Sequence, residues 1–225
     1  MFSDFASKRK SRCKCDLLLG MCADINCPRS LNSKETNEYW IDGWALSKYS
    51  VWSDERTKIG STIHNIKYEY VDYSEDQRRS DAKFLKDQII DLIVRLYDKN
   101  NLPFDICVSP ISHISKPIDL ADYICRSISG RSILYLENSL SEKNSLGSMK
   151  NIPKAERCKK TIGNFVFNCP ESSRPKKGIL IIDDVFDTGC TLMGISKAIT
   201  ERYPGTPIFV ITAAYIGQMG RIAAS

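Results

Sequence analysis

The stretch from Ile179 to Leu192, ILIIDDVFDTGCTL, narrows the fold of this chain more than any other. Ile179, Leu180, Ile181 and Ile182 follow one another without a polar break. A continuous, mostly β-branched run of this kind suits a strand buried on both faces of a parallel sheet. Two carboxylates, Asp183 and Asp184, stand at its carboxyl end, and Asp187-Thr188-Gly189-Cys190-Thr191 forms a short turn opening into an amphipathic segment. Open α/β sheets bind ligands outside the carboxyl ends of their strands. A turn at a helix start offers free N–H groups and a positive dipole end, which together hold a phosphate. The hydroxyls of Thr188 and Thr191 add donors, and the acid pair suits the hydroxyls of a sugar. The stretch reads as a seat for a phosphorylated sugar, with phosphate on the turn and diol on the acids.

Two other readings fit less well. A nucleotide-hydrolysing strand can also end in acids, but no GxxxxGK[ST] phosphate loop occurs in the chain. A receiver-type acid pair would follow the first strand, not fall in the last fifth of 225 residues.

That length supports one substantial α/β domain with a small appendage. No apolar run approaches the ~18–20 residues that span a bilayer. The opening MFSDFASKRKSRCKC lacks the apolar core of a secretory signal, so a cytoplasmic location is expected. The net charge of +5 suits a polyanionic small molecule and permits nucleic acid without requiring it. Four of the nine cysteines, Cys13, Cys15, Cys22 and Cys27, crowd the first 27 residues. Without export signals, the cysteines argue for reduced thiols or a structural zinc rather than a disulfide framework. The four N-terminal ones are the zinc candidates, although their spacing is not that of a finger or ribbon.

Residues 7–12 (SKRKSR) are basic and read as a solvated terminus before a nucleic-acid contact. All three tryptophans fall within residues 38–52, where aromatic runs on either side of Asp42-Gly43 suggest a hairpin. Ile59, Ile63 and Ile66 lie on one helical face that ends at Lys67-Tyr68. Leu85, Ile89, Leu92, Ile93 and Leu96 mark a second helix, expected to begin at Asp81. Residues 104–108 (FDICV) read as a strand, 109–117 as a loop, Ile118 to Ile128 as a helix and 132–136 (SILYL) as another strand. Together these make a βαβ unit and an at least partly parallel sheet. Residues 164–168 (NFVFN) suggest an edge strand, and 208–214 (IFVITAA) a last buried one.

The acid pair and phosphate turn resemble the signature of type I phosphoribosyltransferases that bind 5-phosphoribosyl 1-pyrophosphate (PRPP). The likeness extends to the ComF-like branch. An isoleucine-rich helix ends in Lys67-Tyr68, and the run LGSMKNIPKAERCKKTIGNF (Leu146 to Phe165) looks like a stretch of that family. The cysteine-rich front end has a counterpart there as a zinc module. The resemblance implies a mainly parallel sheet flanked by helices over residues 56–225, preceded by a cysteine- and tryptophan-rich module over 1–55. Three features differ. SHISKPIDLAD stands where the family has Arg-Gly-Phe-Asn-Gln, the paired C-x2-C motifs are irregular, and Asp187 replaces a usual threonine. An aspartate at that position is similar to purine-salvage members, where it serves a ring nitrogen of the base.

The resemblance implies magnesium-dependent transfer of phosphoribose from PRPP to a nitrogenous base. The 5-phosphate falls to Asp187, Thr188, Gly189, Cys190 and Thr191, and the ribose hydroxyls to Asp183 and Asp184, directly or through water on magnesium. Ser112, His113, Lys116 and Arg157, the last with Lys159 and Lys160 in a mobile-looking connection, are candidates for pyrophosphate. Asp187 is the candidate general acid–base. Two alternatives stand beside the enzyme. One is a catalytically silent PRPP or nucleotide sensor acting through a protein partner in DNA uptake, DNA processing or regulation. The weaker is a zinc-dependent nucleic-acid module.

Overall fold

The computed structural model describes residues 28–216 except 35, 52–54, 69–72, 99, 113–117, 131 and 145–151. In chain order its main elements are β1 (Arg29–Ser30), β2 (Asp42–Lys48), α1 (Lys58–Tyr68), α2 (Glu75–Leu96), β3 (Ile106–Val108), α3 (Leu120–Ile128) and β4 (Leu134–Tyr135). They continue with β5 (Leu140–Glu142), α4 (Lys154–Thr161), β6 (Phe165–Phe167), β7 (Ile179–Phe186), α5 (Cys190–Arg202) and β8 (Ile208–Tyr215). Six strands form one sheet in the order β1-β2-β8-β7-β3-β4; the β1–β2 pair alone is antiparallel. The chain is therefore α/β with a mostly parallel, mixed sheet flanked by helices.

The apolar run of β7 is central because both of its faces are covered. Ile179 and Ile181 join Ile195 and Ile199 of α5 on one side, with Phe165 and Phe167 of β6. Leu180 and Ile182 join Ile63 of α1, Ile89 of α2 and Ile124 of α3 on the other. All four β7 residues are fully buried, each stabilising the fold by roughly 1.5–3 kcal/mol. One face of the sheet is thus lined by three helices, and the other by α5 and the two-stranded antiparallel β5–β6 sheet.

The structure corrects several expectations. Asp42 and Gly43 do not turn a hairpin but open β2, which pairs in parallel with β8; β1 and β2 thereby enter the main sheet. Gly43 permits this because Trp40, 1% exposed, packs against its Cα. Helix α2 begins at Glu75, not Asp81: Ser74 caps it, its Oγ accepting from the Gln77 N–H at 3.1 Å. NFVFN does form an edge strand, β6, but in the separate two-stranded sheet with β5. The expected mobile connection carries helix α4. The expectation of reduced thiols fails at one pair, because Cys158 and Cys190 form a disulfide. Cys107, Cys125 and Cys169 are free and buried, while Cys13, Cys15, Cys22 and Cys27 lie outside the described residues.

Candidate functional site

From β3 the chain crosses through α3 to β4 in one direction; from β7 it crosses through α5 to β8 in the other. The β3–β7 boundary is therefore a topological switch point, where α/β sheets leave a crevice at their carboxyl ends. The register deepens it. Pairing with β3 ends at Val108↔Ile181, whereas β7 continues to Phe186 beside β8 alone. A cleft of about 260 Å³ opens here, lined on the β7–α5 side by Asp183, Asp187, Thr188, Gly189 and Thr191. Glu142, Arg157 and Phe165 face it from β5, α4 and β6.

The turn from β7 into α5 presents bare donors. Among the described residues, no acceptor takes the amides of Asp187, Thr188 or Gly189, and the first α5 amide bonded within its own helix is Met193, to the Gly189 carbonyl at 2.8 Å. The Cys190 N–H is held by Thr188 Oγ1 at 3.4 Å, which leaves the Thr188 hydroxyl proton to donate outward. Gly189 makes the bend possible: its φ is +76°, and a Cβ there would stand 2.9 Å from the Phe186 ring. Such an arrangement, at the start of a 13-residue helix, has the chemistry to cradle an anion.

The two adjacent acids do different work. Asp183 lines the cleft, and its Oδ1 accepts the Asp184 N–H at 2.8 Å. Asp184 instead pairs with Lys67 at the end of α1, the two side chains being 15% and 12% exposed. Burial alone would lower the Lys67 pKa, but the Asp184 carboxylate, with Asp183 behind it, outweighs burial and holds the ammonium above its ordinary value. In the sequence Lys67 marks only a helix end; its distant partner carries no sequence signal.

Arg157 reaches the cleft from α4, its Nη1 lying 3.4 Å from Asp187 Oδ2. The Arg157 Nε is buried with no acceptor among the described residues. Lys159 and Lys160 are exposed on α4 and do not line the cleft. Ser112 is exposed, following the cleft-lining Ile111; His113 and Lys116 lie outside the described residues. The strand that enters the loop is anchored by hydroxyls: Tyr135 donates to Asp122 at 2.5 Å and is itself 2.9 Å from Ser109 Oγ. Burial, then the Asp122 contact, pushes the Tyr135 pKa well up, so the phenol stays a donor. Among the described residues no group of three or more His, Cys, Asp or Glu gathers to hold a metal ion, and no helix is long and apolar enough to cross a membrane.

The chain matches no family model and no curated protein sequence.

Proposed function

We propose that this protein is a ComF-like type I phosphoribosyltransferase that binds PRPP and passes its phosphoribose to a nitrogenous base, releasing pyrophosphate. The supporting observation is the run of acceptor-free amides at 187–189 in the switch-point cleft, with the Asp183 carboxylate beside it. In this reading the 5-phosphate sits on those amides and on the Thr188 and Thr191 hydroxyls. Asp183 takes the ribose hydroxyls, and Asp184 steadies that corner through Lys67.

A base nitrogen attacks C1 of the ribose as the bond from C1 to the pyrophosphate oxygen breaks. Positive character grows on the ring, negative charge on the leaving group, and the protein contributes chiefly position and electrostatics. In this reading Arg157, which lines the cleft, meets the leaving charge. A carboxylate donor such as Asp183, completed by substrate phosphates and water, fits magnesium, which neutralises pyrophosphate charge when bound. The test is incubation with PRPP, magnesium and a panel of bases: pyrophosphate release with one of them is the expected result, and no release with any of them counts against transfer.

A second reading has an observation in its favour. Asp187, the candidate general acid–base, is 53% exposed and paired with Arg157, which ties it to a cation instead of an acceptor base. That pairing suits a PRPP sensor without turnover, acting through a protein partner. PRPP binding without pyrophosphate release would select it.

A further inference from the structure

The Cys158–Cys190 disulfide joins two pieces of the cleft that are 32 residues apart in sequence, with Cα atoms 4.8 Å apart. Cys190 is the first residue of α5, directly after the anion cradle. Cys158 follows Arg157 on α4, the residue whose guanidinium faces the cleft. A second attachment holds α4 to α5 further along. At Gly194 an added Cβ would lie 2.8 Å from the Thr161 carbonyl and the Phe165 ring, so the end of α4 is seated closely on the middle of α5. Arg157 and Cys158 lie in the middle of the eight-residue α4, so the disulfide holds the turn that carries Arg157 and packing holds the turn after it.

We propose that Cys158 and Cys190 form a redox-modifiable pair that sets how well the cleft holds a polyanion, tight when bonded and weak when open. The proposal rests on the anion-binding part of the function proposed above. With the bond closed, Arg157 is fixed at the cradle, and an anionic ligand meets a preorganised cation and preorganised amides. With it open, α4 can pivot about the Thr161–Gly194 contact and carry Arg157 away. The ligand must then order that helix as it binds.

The partner required is a dithiol reductant. Cys158 is half-buried and Cys190 only 3% exposed, so the incoming thiolate attacks the Cys158 sulfur and Cys190 leaves as thiolate. A start-of-helix position favours that thiolate. The second thiol of the reductant then displaces Cys158. In sum, the protein disulfide takes up two electrons and two protons to become two thiols, and the reductant becomes a disulfide.

The experiment uses the full chain, prepared without reductant or after treatment with dithiothreitol, and titrates inorganic pyrophosphate by calorimetry. Hydrogen exchange across α4 is followed in parallel. We expect affinity about tenfold weaker after reduction, in the range of ordinary coupling between sites, with faster exchange in α4. Cys158→Ser should bind weakly in both preparations and lose its response to the reductant. Equal affinity in the two states, or a reductant response that persists in Cys158→Ser, overturns the proposal while leaving the anion site standing. So does alkylation of Cys158 and Cys190 as free thiols before reduction. Failure of pyrophosphate to bind in either state overturns both the redox control and the cleft's assignment to PRPP.

Discussion

The two walls of the cleft are built differently. The β7–α5 wall grows out of strands paired on their neighbours and packed on both faces, and Gly189 fixes its bend. The opposite wall, made of β5, α4 and β6, is a two-stranded sheet and a short helix. It leans on α5 through Phe165, the Thr161–Gly194 approach and one disulfide, and on the turn before α5 through one ion pair. Two-stranded sheets depend on such packing for their stability. The contrast teaches a division of labour: the sheet corner carries a rigid bend with acceptor-free amides, the anion seat of the proposed function, and the covering wall carries the groups that can be adjusted over it.

Substitutions should separate the walls. The largest loss is expected on the sheet side, from Lys67→Met, which strands the Asp184 carboxylate at 15% exposure; removing one partner of a buried pair costs about 3 kcal/mol. Denaturant titration measures it. The pair also sets an alkaline limit. Because the folded Lys67 pKa lies above its ordinary 10.5, the stabilisation is complete below that value and fades as pH rises through the folded one. Wild type should therefore lose stability in strong alkali, and Lys67→Met should lack that component of the loss. A wild-type curve that matches the variant throughout would remove the pair from the account.

Gly189→Ala should follow, at about 1–3 kcal/mol, since alanine resists φ +76° and its Cβ meets the Phe186 ring. Phosphate or pyrophosphate affinity should fall with it, because the same bend aims the amides. At the seam where α5 meets the covering wall, Gly194→Ala sets a clash at Thr161 against a gain in helix propensity of about 1 kcal/mol, so its net loss should be smaller than that of Gly189→Ala. The smallest effect on stability belongs to Arg157→Ala. Its contact with the half-exposed Asp187 is worth less than about 1 kcal/mol, so the thermal midpoint should barely move while pyrophosphate affinity drops several-fold. A large stability loss from Arg157→Ala with unchanged affinity would reverse the division of labour.

What the sequence made legible follows the same line. The β7 and β8 runs, the Ile59-Ile63-Ile66 face of α1 and the Leu85-Ile89-Leu92 stripe of α2 announce themselves, because burial on a regular element imposes a period on the residues. The turn at 187–191 was equally readable, since few residue types suit such a bend. Helix α4 was not: KAERCKKT is charged and shows no apolar stripe, and its place comes from partners distant in sequence. Strand β5 is three residues in a polar stretch. The start of α2 is hard to read because its first turn is polar, although Ser74 and Gln77 carry the capping signal. Strand alternation places Asp183 and Asp184 on opposite sides, but only the fold reveals that Lys67 waits for the second.

The most direct measurement of the central claim is a calorimetric titration of PRPP with magnesium into wild type and into Asp183→Asn. Asparagine keeps the Oδ1 that accepts the Asp184 N–H, so the variant should melt close to wild type. The account predicts measurable binding by wild type and a loss of about 100-fold in Asp183→Asn, the size expected when a charge-assisted hydrogen bond to a sugar hydroxyl is removed. Equal affinity in the two proteins, or no binding by wild type, would contradict it.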